Sequence, residues 1–150
     1  MKNDFSETAI GLSPIRRWHG RLPLEYKYTA GVAGEKFLKL LRDEGAIYGS
    51  KCASCEKTFL PPKMYCDNCF EYIERFIKIN EKGYVYSYTH SKSDKITAII
   101  KFKDVSGGLL HKLEGVSAKD VKIGMPVRPV LKAKDKRVGS LTDIEYFTPL

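Results

Sequence analysis

The sequence contains no apolar run near the ~20 residues needed to cross a bilayer, and neither a transmembrane helix nor a membrane partner is expected. Its opening stretch, MKNDFSETAIGLSP, lacks an apolar region followed by small residues and does not read as a secretory signal. There is no internal repeat and no low-complexity linker. There is also no G-x-G-x-x-G, no Walker-type phosphate loop and no G-x-S-x-G. These absences remove the usual sequence arguments for a dinucleotide turn, a phosphate-binding loop and a serine-hydrolase elbow. Histidine is scarce: His19, His90 and His111 stand in no metal or triad pattern and read as surface or structural residues. The expectation is a soluble cytoplasmic protein with reduced thiols that is not an enzyme in its own right.

What is present suffices for a folded chain. At 150 residues and 43% hydrophobic content it can bury a core. The formal net charge of +8 favours anionic partners, such as nucleic acid, phosphate-bearing cofactors or acidic protein faces. Basic and acidic residues are interspersed throughout. The one dense basic run, Lys132, Lys134, Lys136 and Arg137, reads as a solvated hairpin turn.

All four cysteines fall in one stretch, CASCEKTFLPPKMYCDNC, as Cys52, Cys55, Cys66 and Cys69. A thioredoxin-type pair belongs at the start of a helix, and no helical pattern follows either C-x-x-C here. Disulfides are disfavoured in a reducing compartment. Two C-x-x-C turns joined by a ten-residue hairpin suit tetrahedral zinc, with iron as the alternative metal. A site closed by four cysteines leaves no coordination position for water or substrate, so its metal would be structural.

Residues 1–46 read as a helical N-terminal extension, 47–71 as a zinc ribbon and 72–150 as β-structure. Within the first, EKFLKLLRDEG (35–45) is a short amphipathic helix that Gly45 can stop in a left-handed conformation. Such a helix must dock on something. The alternatives are its own domain or a partner protein, with Phe37, Leu38 and Leu41 as candidate partner contacts. Strands are predicted over 72–79, 83–90, 95–102, 108–116, 126–133 and 142–147. Pro129 implies an edge or a bulge. The last five strands suit a small barrel of the oligonucleotide/oligosaccharide-binding (OB) type, with an SH3-like barrel also compatible. Ile96, Ile100 and Val127 should face inward. In GYVYSYTH, alternation places Tyr84, Tyr86 and Tyr88 on one face. They read either as a stacking platform for a base or adenine ring or as half-buried cross-strand pairs.

The order of these parts carries a resemblance. Tyr48-Gly49 leads into the first C-x-x-C, Pro61-Pro62 separates it from the second, and GYVYSYT (83–89), IGMPV (123–127) and Phe147-Thr148-Pro149 follow. Over residues 35–150 the chain resembles the acyl-CoA-associated proteins that join a rubredoxin-like zinc ribbon to an OB-fold, long catalogued as a domain of unknown function. The resemblance implies a mainly β fold and zinc on Cys52, Cys55, Cys66 and Cys69. It implies a non-catalytic accessory or scaffold subunit of a thiolase-type complex that binds CoA or acyl-CoA. In archaea such subunits bridge an acetoacetyl-CoA thiolase and a hydroxymethylglutaryl-CoA synthase early in the mevalonate route. Tyr84 and Tyr86 are the candidate ligand contacts. The competing expectation is a nucleic-acid-binding module, since ribbons and OB barrels often bind nucleic acid.

Overall fold

Residues 28–91 and 95–150 are described by the structure, a computed structural model. The earlier part of the N-terminal extension, with His19, lies outside the described residues. Helix α1 spans Gly31–Glu44. Phe37 and Leu41, one turn apart, are its buried pair. Gly45 ends the helix in the left-handed region (φ 63°), and its N–H donates to the Leu41 carbonyl at 3.1 Å. At the other end the Thr29 hydroxyl accepts from Gly31 N–H at 3.1 Å. Among the described residues no helix is long and apolar enough to cross a membrane.

Nine strands follow among the described residues: β1 Tyr48–Lys51, β2 Thr58–Leu60, β3 Phe76–Lys78, β4 Gly83–His90, β5 Ile96–Phe102, β6 Val105–Gly107, β7 Leu109–Leu113, β8 Pro126–Leu131 and β9 Ile144–Pro149. They form two sheets. The ribbon sheet runs β3-β1-β2-β6, with β6 parallel to β2. The other sheet closes on itself as β4-β5-β7-β9-β8. Counted within the barrel, that order is first, second, third, fifth, fourth and back to the first, a Greek-key barrel of OB type. The fold is therefore mainly β, with a rubredoxin-like ribbon preceding the barrel.

One core joins these parts. Phe37 and Leu41 of the helix, with Ile47, Leu60 and Ile79 around the ribbon, are buried in the same cluster as Val85, Ile96, Ile100, Val127, Ile144 and Phe147 of the barrel. Phe37 and Leu41 thus serve the chain's own core. Their burial corrects the expectation that they meet a partner, because a side chain sealed at 4% and 0% exposure presents no contact surface. Leu38 is only partly buried and packs against this core.

Three further local readings change, and the expected edge or bulge at Pro129 holds. β6 has no counterpart in the predicted strands. Pro129 lies opposite Phe147 of β9, beyond the two residues of β8 that pair with β4, so its missing N–H removes no bond to β4. A 3-10 turn, Leu141–Asp143, replaces the start of the last predicted strand. Finally, a bulge between Val85 and Ser87 of β4 shifts the pairing with β5. Tyr84 stands opposite Lys101, but Tyr88 stands opposite Ala98, whose side chain is buried. One inserted residue exchanges the two faces of a strand. Tyr88 consequently leaves the face it was expected to share with Tyr84.

Candidate functional site

The four cysteines sit on two turns of the same design. In the first, Cys52 N–H donates to the Lys57 carbonyl; in the second, Cys66 N–H donates to the Glu71 carbonyl, both at 2.9 Å. The residue after each pair's second cysteine takes a left-handed φ, 58° at Glu56 and 59° at Phe70. That region is uncommon for large side chains, and it closes both turns so that the thiols converge. Lys57 Nζ donates to Asn68 Oδ1 at 3.1 Å and ties one turn to the other. Beneath them Phe59 and Ile73 pack with Cys52 and Cys66 in a small separate core.

The sulfurs all lie within 4.8 Å of one another. Cys52 Sγ is 3.5 Å from Cys69 Sγ, and Cys55 Sγ is 3.4 Å from Cys66 Sγ. A tetrahedral zinc with Zn–S bonds of ~2.3 Å needs sulfurs about 3.8 Å apart, so the donor set and its spread fit that ion. The thiols also titrate far apart. Burial pushes Cys66 up, but the N–H groups of Asn68 and Cys69 outweigh it and hold the thiol at about 6. At Cys69 the Glu71 N–H pulls down, while hydrogen bonding with Cys52, burial and the Cys66 and Cys55 sulfurs push the thiol up to about 12. Four thiolates this close repel one another, and a bound dication would offset that repulsion.

A second candidate surface is the outer face of β4. Tyr84 and Tyr86 are 37% and 49% exposed. The Lys101 ammonium from β5 lies 3.6 Å from the centre of the Tyr86 ring, a cation–π contact. Lys101 is the residue that sequence reasoning missed; the β4–β5 register, which puts it opposite Tyr84, is the signal that finds it. The cysteines lie on turns of the ribbon and the tyrosines on barrel strand β4.

The histidines divide. His90 is exposed at the end of β4. His111 packs edge-on against Phe147 with ring centres 5.8 Å apart, and its Nε2 lies 3.4 Å from the Leu141 carbonyl. Burial is the main influence on it and lowers its pKa. It stands where parallel strands β7 and β9 share a single pair, Leu113 with Phe147.

Comparison with known proteins follows this division into ribbon and barrel. Residues 41–71 match the family described as ChsH2, rubredoxin-like zinc ribbon domain. No curated protein matches the sequence. Among solved structures, a DUF35-family protein of unknown function from Sulfolobus solfataricus is 35% identical. The match covers 67% of this chain and 78% of that one, with a TM-score of 0.58. The Ltp2-ChsH2(DUF35) aldolase is 21% identical over 76% of this chain and 91% of that one, also at a TM-score of 0.58, and supports the fold. This comparison overturns the expectation that the chain is not an enzyme: a structure of the same fold is the Ltp2-ChsH2(DUF35) aldolase.

Proposed function

Because the chain belongs to the DUF35 family, we propose that it is a subunit of an acyl-CoA-processing enzyme assembly. The observation that carries this reading is the ribbon-and-barrel fold shared with the Ltp2-ChsH2(DUF35) aldolase. In its finer form, the partner is a thiolase-family enzyme, and the chain bridges an acetoacetyl-CoA thiolase and a hydroxymethylglutaryl-CoA synthase. A cytoplasmic location, where thiols stay reduced, completes the proposal. Zinc on Cys52, Cys55, Cys66 and Cys69 would supply a closed cross-link holding the two turns together, with iron as the alternative ion. The chain's own residues would meet the CoA. Tyr84 and Tyr86 offer ring faces on which an adenine can stack, and Lys101, held over Tyr86, brings a cation to the same place for a phosphate.

The test combines the purified chain with a thiolase and a synthase from the same genome. Co-elution as one species is expected, with CoA held more tightly by the complex than by the chain alone, since a partial groove yields partial affinity. Tyr86→Ala should weaken CoA binding about tenfold, within the ~1–3 kcal/mol of a base–aromatic stack. The exposed tyrosine–lysine face also suits a nucleic-acid base. Oligonucleotide binding that survives near-physiological salt, with no CoA binding in complex or alone, would replace this reading with the nucleic-acid one.

A further inference from the structure

Strands β7 and β9 run parallel but share only the Leu113–Phe147 pair, closed by Glu114 N–H donating to the Phe147 carbonyl at 2.8 Å. Toward Leu110 and Ile144 no further pair forms, and a groove of about 620 Å³ lies between the two strands. The His111 side chain stands in this seam. Its ring packs edge-on against Phe147, its Nε2 meets the Leu141 carbonyl at 3.4 Å, and it lines the groove. With that carbonyl as acceptor, Nε2 carries the proton and Nδ1 is the bare nitrogen. Nδ1 is buried and has no hydrogen-bond partner among the described residues. The acceptor is held in place. Leu141 begins the 3-10 turn that Ser140 and Asp143 cap, and Gly139 N–H donates to Asp143 Oδ2 at 2.7 Å. Arg137 Nε donates to the Lys132 carbonyl at 2.8 Å and its Nη1 reaches the Arg42 carbonyl at 3.5 Å, tying the approach to this turn to helix α1.

A neutral imidazole suits this place and an imidazolium does not. The second proton would go to Nδ1, leaving a buried N–H without an acceptor. The charged neighbours decide where the ring can go instead. Lys112 and Glu114 from β7, Glu145 and Tyr146 from β9, and Lys132 beyond β8 line the groove with it, while β5 contributes only Thr97. Asp143, on the adjoining turn, already accepts from the Val138, Gly139 and Ser140 N–H groups. The lysines disfavour another positive charge. Glu114 and Glu145 are exposed and make no salt bridge among the described residues. We propose that His111 is a pH-sensitive latch on the β7–β9 seam. Neutral, it holds the seam shut between Phe147 and the Leu141 carbonyl. Protonated, it turns out into the groove, where Glu114 and Glu145 accept its N–H groups, and the seam loosens. Burial lowers the pKa of the latched ring, outweighing the Leu141 and Lys112 backbone groups that raise it, and the Lys112 charge lowers it further. The latched form therefore binds fewer protons than the loosened one. Closure is complete above the ordinary histidine value of ~6.5 and is lost as pH falls from there through the latched value. The latch goes beyond the proposed function and requires neither a ligand nor a partner.

Nuclear magnetic resonance on the full chain tests the latch, by following the His111 ring and the amide protection of Leu110–Leu113 and Ile144–Phe147 from pH ~7.5 to ~5.5. Protection is corrected for the intrinsic pH dependence of exchange. Below pH ~6.5 seam protection should fall by up to about tenfold per pH unit, the response of one linked proton. Val85 and Val127, on the strands away from the seam, should hold theirs. His111→Gln is neutral throughout and should show no such fall; it shares every other acid-sensitive group with the native chain, so effects of acid on the cysteines cancel. Glu114→Gln combined with Glu145→Gln removes the acceptors in the groove. In that variant His111 should titrate lower than in the native chain, and the seam should stay closed further into acid. Both glutamates are exposed, so this variant decides the question even where His111→Gln fails to fold. Seam protection that ignores pH, an equal fall in His111→Gln, or a His111 titration that the glutamine pair leaves unmoved overturns the proposal.

Discussion

Asp143 is fully buried, and its carboxylate accepts backbone N–H groups from Val138, Gly139 and Ser140 at 2.7–3.2 Å. Burial alone would raise its pKa, but these donors outweigh it, with Lys132 adding to them, and hold the carboxyl below its ordinary value. Asp143→Ala leaves three donors without an acceptor, and we expect a loss of about 3 kcal/mol in urea unfolding. The pH dependence follows from the direction of the shift. A depressed carboxyl contributes its full stability above the unfolded value of ~3.9 and loses it as pH falls from there through the folded value. Acid also protonates the thiols, so the comparison is with Asp143→Asn. That variant should be less stable near neutrality and lose less further stability below pH ~4. Parallel acid limbs would contradict this role. The Ser140-x-x-Asp143 spacing of a capping box signals the Ser140 donor, but the Val138 and Gly139 donors are backbone groups that only the folded turn brings within reach.

At the level of elements, helix α1 and the barrel strands were largely legible. The Phe37–Leu41 stripe, the Gly45 stop and the alternation in KITAIIKF describe local physics, and local physics decides them. What stayed hidden depends on distant pairing. Arg137, read as one cation in a solvated run, reaches the C-terminal end of α1, 95 residues earlier, and lies against Gly45. A cation there complements the helix dipole. Arg137→Ala should cost about 1–2 kcal/mol in urea unfolding and speed amide exchange in the last turn of α1; unchanged exchange would refute the anchoring. Arg137→Lys should recover little, since lysine lacks the fork that serves two carbonyls at once. β6 was invisible because three residues carry no periodicity. Gly107 takes φ 94° against the Leu60 carbonyl, and Gly108 N–H donates to that carbonyl at 2.8 Å. The pattern of the metal turns was fully legible, because cysteine spacing is itself the constraint.

On the scale of the whole molecule, the ribbon and barrel are coupled through β2–β6 and through the shared core. Loss of the metal should therefore be felt beyond the ribbon. Cys66→Ser, or treatment with a strong chelator, should reduce metal content well below one ion per chain and lower the melting temperature. It should also speed amide exchange in β6 and at Leu109 of β7, as well as in β1 and β2. Mass spectrometry and hydrogen exchange read these together; β6 protection that persists without metal would show that the two sheets are independent.

The route of the chain has a further consequence. It runs through ribbon strands β1 to β3, enters the barrel at β4 and β5, returns to the ribbon as β6, and goes back to the barrel at β7. A single break in the gene between the two sheets would strand β6 on the wrong side and leave β2 with an open edge. Recombination at one point cannot donate this barrel free of ribbon strand β6. The two must be inherited, exchanged or grafted as one piece.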